Sequence, residues 1–225
     1  MHNENQKLQY EILELFPTPV FTTIIPNQFG KVTEYFYKQE MSSDVKGKDD
    51  PGIDSINYGE RSTNSYILDE PECKDLKTFI LDLSKNYGDM LGYDYETYRF
   101  GQSWTSYKHP GQQHIQHTHP NSLMSGVLYF GPPQPETSAI KLHKAAGSFN
   151  SNYISPKKVL DKRELKYAWE EFNLEFSPGL LIIFPSHLTH SVPLNKTDTI
   201  RCSLAFNIVP TVGFGEETSL TELKF

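Results

Sequence analysis

The strongest constraint on how this chain folds is the spacing of its turn residues in the C-terminal part. From Tyr98 onward, short aromatic, aliphatic and β-branched runs recur every ten or so residues, most closed by Gly or Pro. Residues 98–107, 123–130, 139–142, 172–176, 180–184, 190–192 and 199–209 all have strand character. Short strands at that spacing indicate a β-sandwich or barrel. Helical signals come earlier. Residues 28–41 read as a helix. A clearer helix starts near Pro71, where Leu76, Phe79, Ile80, Leu83, Tyr87, Met90 and Leu91 form one apolar stripe, and Gly92 ends it. Helices first and strands later argue against alternating βαβ units. Residues 13–21 read as a short strand entered through Pro17 and Pro19, and the polar stretch 44–63 as a surface loop. The long polar stretch 145–169 fits a lid or irregular insert.

The chain has 225 residues, enough to bury a substantial core. No apolar run approaches a membrane span, and the polar start MHNENQKLQY is not that of a signal peptide. The net charge of −7 argues against a general nucleic-acid surface. Two cysteines, Cys73 and Cys202, are too few for a disulfide framework or a thiolate zinc site, which suits the reducing cytoplasm. Lys157, Lys158, Lys162, Arg163 and Lys166 form a basic cluster that suits a phosphate, a protein partner or simply a solvated helix face.

Eight histidines are present, three of them between His114 and His119. In an extended segment, His117 and His119 share a face and can reach one metal ion. His190, where a strand resumes after the apolar run LLIIFP, is the best third ligand. Imidazole suits iron, zinc, copper and nickel, and three protein ligands leave positions open for chemistry. The same spacing also fits a pair of exposed strand histidines. His114 and His187 read as surface or supporting groups, and His109 as a loop residue. Arg201 lies on the last strand, facing the same way as Ser203 and Ala205, while Cys202, Leu204 and Phe206 face the other way. Both faces look covered, so Arg201 needs an anionic partner: a ligand carboxylate, with Ser203 and Tyr129 adding hydroxyls, or an internal acid.

Taken together, these segments resemble the Fe(II)- and 2-oxoglutarate-dependent dioxygenases, and more narrowly the 2-oxoglutarate/iron oxygenases of bacteria and their phages. The matching pieces are LFPTPVF near Phe16, the strand around Trp104, HTHPNSLMSGVLYF, PGLLIIFPSHLTHSV and RCSLAFNI. The resemblance implies a mainly β fold, a double-stranded β-helix or jelly-roll with N-terminal helices packed on one sheet. It implies one structural unit in two parts, 1–93 backing a core of 94–225. It implies Fe(II) on His117, His119 and His190, with Arg201, Ser203 and Tyr129 binding the cosubstrate 2-oxoglutarate. O2 is then reduced as 2-oxoglutarate goes to succinate, most simply with hydroxylation of a substrate. One departure stands out: the wider superfamily places Asp or Glu where this chain has His119. A register using His119 and Asn121 is an alternative. Two rival readings remain, a cupin-type metal dioxygenase or isomerase without 2-oxoglutarate and a non-enzymatic jelly-roll binding module. The partners compatible with this reading are a small-molecule or protein substrate and a second copy of the chain in a homodimer.

Overall fold

A computed structural model of the chain describes residues 17–46, 56–132, 138–144 and 170–225. Among these, eleven strands and two α-helices are present. The strands are β1 (Phe21–Ile24), β2 (Met41–Lys46), β3 (Ile56–Ser62), β4 (Tyr98–Lys108), β5 (His114–His117), β6 (Met124–Phe130), β7 (Ser138–His143), β8 (Glu171–Glu175), β9 (Leu180–Pro185), β10 (His190–Val192) and β11 (Arg201–Pro210). The helices are α1 (Gly30–Tyr37) and α2 (Lys74–Met90). The mainly β architecture read from the sequence is thus present, but the order is not helices first: β1 precedes α1, and β2 and β3 lie between α1 and α2.

The strands form two antiparallel sheets. One has seven strands in the order β1-β9-β6-β11-β4-β3-β2; the other has four in the order β5-β10-β7-β8. β6 and β9 are buried along their whole length, as their unbroken apolar runs required. On one face of the seven-stranded sheet, Phe100, Leu128, Leu181, Ile183, Leu204 and Phe206 pack with Phe36 of α1 and with Leu76, Ile80 and Tyr87 of α2. On the other face, Val127, Tyr129 and Ile182 meet Ala139, Ile140 and Leu142 of β7. Two apolar layers therefore sandwich one sheet.

β11 lies at the centre of this arrangement, between β6 and β4. Its alternation is as expected: Cys202, Leu204, Phe206 and Ile208 enter the core under the helices. The ladder to β4 skips one residue between Ser103 and Phe100, opposite Phe206 and Ile208. That bulge reverses the alternation of β4. Tyr98 and Phe100 thus share the core with Tyr107, while Trp104, Ser106 and Lys108 turn to the opposite side.

Several expectations need correction. Stretch 44–63 is not one loop: residues 41–46 and 56–62 are β2 and β3, a hairpin that extends the large sheet. Main-chain pairing does not need apolar side chains, so its polar composition hid it. The first strand starts at Phe21. Pro17 and Pro19, which lack N–H donors, precede it in extended backbone that makes no ladder, anchored where Tyr87 Oη donates to Pro19 O (2.8 Å). In α2, Met90 is 78% exposed, and Ser84 is buried with its hydroxyl on Ile80 O. Gly92 takes φ +79° and closes the helix, with Tyr93 N–H bonding Gly88 O. Stretch 145–169, its basic cluster and His2 lie outside the described residues.

Gly126 of β6 shows how tightly the core is filled. A Cβ there would lie 2.4 Å from the Phe206 ring and 2.8 Å from Ile182 O. Gly126→Ala is therefore expected to lower stability by about 1–3 kcal/mol, read as a lower urea midpoint. Because the closer of the two clashes is with Phe206, the same substitution should cost less in a Phe206→Leu background, the contact with Ile182 O leaving part of the cost in place.

Candidate metal centre and cationic cleft

β5 and β10 pair so that His117 and His190 are direct cross-strand neighbours. His119 follows β5 by two residues, and its backbone N–H bonds Ser186 O (3.0 Å), which holds the turn against the end of β9. The nitrogens of His117, His119 and His190 lie within 4.8 Å of one another. The sequence-derived trio therefore converges. Asn121, the alternative, sits exposed on a turn at φ +59° and does not line the cleft.

The second nitrogen of each ring is already engaged. Nδ1 of His117 faces Ile115 O (2.9 Å), and Nδ1 of His190 faces Leu188 O (2.9 Å). A carbonyl only accepts, so both Nδ1 atoms carry the proton and both Nε2 atoms present lone pairs. Nδ1 of His119 meets Asn207 Oδ1 (2.6 Å), which also accepts from Ser125 Oγ (2.9 Å). Ser125 is bonded to Ser186 (2.8 Å), and Ser122 donates to Ser186 (2.6 Å). Such outer partners fix ring orientation and tautomer in metal sites. Burial, followed by the neighbouring His117, pulls the His190 pKa down to about 3. Burial lowers that of His119 too, partly offset by Asn207. Both rings are thus neutral at neutral pH. Three converging imidazole nitrogens fit a borderline divalent ion such as Fe(II).

The histidines line an open cleft. Trp104 lies against His119 (6.2 Å between ring centres) and Phe184 against His190 (4.8 Å). Arg201, Ser203 and Ala205 line the cleft, the face assigned to them from the alternation of β11. Arg201 is 1% exposed, and its Nη2 donates to Pro193 O (2.7 Å). Tyr129 also lines the cleft, but its hydroxyl donates to Ala139 O (2.7 Å). Its single proton is thus engaged, contrary to the expectation that it donates to a ligand carboxylate. Burial keeps it a phenol, with Arg201 opposing that shift.

His114, read as a surface or supporting group, lies tilted against His117 (4.4 Å between ring centres) and lines the cleft. Two residues escaped the sequence reading. Asn207 continues the alternation Arg201–Ser203–Ala205, and that period was the signal available for it. Lys108, 4% exposed, lines the cleft beside Arg201. Its strand period was masked by the bulge in β4. His187 is exposed, as expected, and His109 is a loop residue facing Glu60 (3.1 Å). No carboxylate side chain lines the cleft among the described residues.

A histidine trio able to hold a metal ion, in a cleft with cationic lining between two antiparallel sheets, suits chemistry on an anionic ligand. Residues 102–207, which contain every cleft residue named above, match the family described as "Putative 2OG-Fe(II) oxygenase", a family of oxidoreductases. Solved structures share the fold at low identity. HygX from Streptomyces hygroscopicus, with nickel and 2-oxoglutarate bound, aligns at TM-score 0.57 and 12% identity over 92% of this chain and 91% of that one. The non-heme alpha ketoglutarate dependent carbocyclase SnoK from nogalamycin biosynthesis aligns at TM-score 0.58 and 12% identity, covering 86% of this chain and 80% of its own. A Pseudomonas putida prolyl-4-hydroxylase aligns at TM-score 0.51 and 15% identity, over 86% and 88%. No curated protein matches the chain. The family match sets aside the 2-oxoglutarate-independent and non-enzymatic readings. No helix among the described residues is long and apolar enough to cross a membrane.

The bond from Asn207 to His119 makes a direct prediction. Asn207→Ala should weaken metal binding about 10- to 100-fold while leaving the unfolding midpoint of the metal-free protein nearly unchanged, measured by Mn(II) titration and thermal melting.

Proposed function

We propose that the chain is a hydroxylase that holds Fe(II) on Nε2 of His117, His119 and His190 and binds the far carboxylate of 2-oxoglutarate at Arg201. The observation that carries this is the make-up of the cleft lining. Three converging imidazoles and a buried guanidinium line the same cleft. A 2-oxo diacid has a chelating end and a far carboxylate, and so matches both. The planar fork of Arg201 suits bidentate pairing with a carboxylate, and Ser203 on the same face adds a hydroxyl. Tyr129 shapes the wall without giving up its proton.

With 2-oxoglutarate and O2 bound, iron supplies the oxidising power that yields succinate, CO2 and a hydroxylated C–H bond. The chain itself binds and orients. Asn207, Ile115 O and Leu188 O hold the three rings. Phe184 and Trp104 wall the metal end with apolar surface, which limits water there. His119 stands where the superfamily places an acid, so none of the three ligands cancels charge on the ion. The centre should then bind the metal more weakly and anionic ligands more strongly.

We further propose that the two facing sheets form a double-stranded β-helix, and that 1–93 and 94–225 act as one unit. Supporting this, β1, β2 and β3 lie in the same sheet as β4, β6, β9 and β11. We place the protein in the cytoplasm, where its two buried free thiols, Cys73 and Cys202, stay reduced, and its substrate among small molecules or protein side chains. Uncoupled succinate release from 2-oxoglutarate, Fe(II) and ascorbate tests the reading. His190→Ala should abolish it, and Arg201→Ala should raise the KM for 2-oxoglutarate about 10- to 100-fold. A wild-type protein that neither binds nor turns over 2-oxoglutarate, with Arg201→Ala without effect, overturns it.

A further inference from the structure

We infer that Asn195, which does not line the cleft, is a positioning residue for Arg201: it fixes the direction of the guanidinium, and through it the preference for a 2-oxo diacid over a 2-oxo monoacid. The inference rests on the cosubstrate reading above. Asparagine is mostly an exposed residue, yet Asn195 is 1% exposed, in the connection between β10 and β11. Its Nδ2 donates to Lys108 O (2.8 Å) and to Thr199 O (2.8 Å). Its Oδ1 accepts from Thr197 N–H (3.1 Å) and from Thr197 Oγ1 (2.7 Å). A backbone carbonyl only accepts and a backbone N–H only donates, so the amide stands only this way round. The main chain is engaged as well. Asn195 N–H donates to Gln112 O (2.8 Å), and Asn195 O accepts from Gly111 N–H (2.8 Å).

These bonds reach Arg201 from two directions. Its guanidinium donates through Nη2 to Pro193 O (2.7 Å), two residues before Asn195. Its backbone is paired with Lys108 and follows Thr199 by two residues, and Asn195 holds the carbonyls of both. Both ends of the arginine side chain are therefore referred to one buried amide. The connection that carries Pro193 runs from the four-stranded sheet at β10 to the seven-stranded sheet at β11. The connection that carries Gly111 and Gln112 makes the reverse crossing, from β4 to β5. Asn195 bonds the two crossings to each other. A guanidinium pairs with a carboxylate as a directional fork, so its orientation decides how well it binds one. Without the tie, Pro193 O is held from the β10 side alone, and the fork loses a fixed acceptor. That loss falls on the far carboxylate of the diacid. The chelating end, which goes to the histidines, does not feel it.

The test uses the full chain loaded with Mn(II) and measures binding by calorimetry, without turnover. Two ligands are compared, 2-oxoglutarate and 2-oxopentanoate, which has the same chain length but no far carboxylate. Asn195→Ala should weaken 2-oxoglutarate about 10-fold and leave 2-oxopentanoate and Mn(II) itself within about twofold. In an Arg201→Ala background the same substitution should change 2-oxoglutarate binding by less than about twofold, because the residue through which it acts is gone. Equal weakening of both acids, weakening of Mn(II), or an undiminished loss in the Arg201→Ala background overturns the inference and leaves Asn195 a structural residue. Should Asn195→Ala not fold, Thr197→Val, which removes the hydroxyl bonded to Asn195 Oδ1, is put through the same comparison, and a loss confined to 2-oxoglutarate is again required. A wild-type protein that binds Mn(II) but neither acid, or an Arg201→Ala variant that binds 2-oxoglutarate normally, sinks the cosubstrate reading and this inference with it. Normal wild-type binding, a weakened Arg201→Ala and an unaffected Asn195→Ala sink the role of Asn195 alone.

Discussion

Everything in this protein depends on one strand keeping its register. β11 is paired on both sides, and its two faces serve two different solvents. Leu204 and Phe206 enter the apolar layer under the helices, while Arg201, Ser203 and Asn207 enter a polar cleft or its support. A slip of one residue would put a guanidinium into the core and aromatic side chains into the site. The cost of an unpaired buried charge makes that register far less stable than the native one. The bulge in β4 extends the same logic to the neighbouring strand. It lets Phe100 and Tyr107 share the core although they stand an odd number of positions apart, and so turns Lys108 inward.

The electrostatics of the cleft follow from its ligand set. A metal held by three neutral rings keeps its full charge, and two cationic side chains share the same cavity. No carboxylate side chain is among the described lining residues, so the lining itself favours anionic ligands. His119 is central to this. A ring in that position can donate from Nδ1 to Asn207 while presenting Nε2 to the metal. A carboxylate has no proton to donate there and would meet the Asn207 oxygen as a second acceptor. The Ser122–Ser186–Ser125–Asn207 chain is therefore matched to histidine.

Much of this was legible in the sequence, for physical reasons that can be named. Apolar periodicity marked α2 and the buried strands, because burial selects side chains at a fixed repeat. The alternation of β11 correctly put Arg201 and Ser203 on one face, and His117, His119 and His190 meet as their spacing suggested. The misses also have causes. β2 and β3 pair through main chain, which leaves little trace in composition. Lys108 was hidden by a bulge, since one extra residue inverts every face assignment beyond it. Met90 fits the helical stripe but lies past the surface that α2 covers. For Tyr129 the sequence could suggest a hydroxyl in the cleft, but not that Ala139 O already takes its proton.

The division of the site between the sheets has a mechanical side. His117 and His190 belong to the four-stranded sheet, whereas Arg201, Ser203 and Lys108 belong to the seven-stranded one. Between them lies an apolar layer built on Val127, Ile140 and Ile182, crossed by the hydrogen bond from Tyr129 Oη to Ala139 O. A ligand that contacted the histidines and Arg201 together would join the two sheets like a rivet between two plates, and so help to fix their spacing.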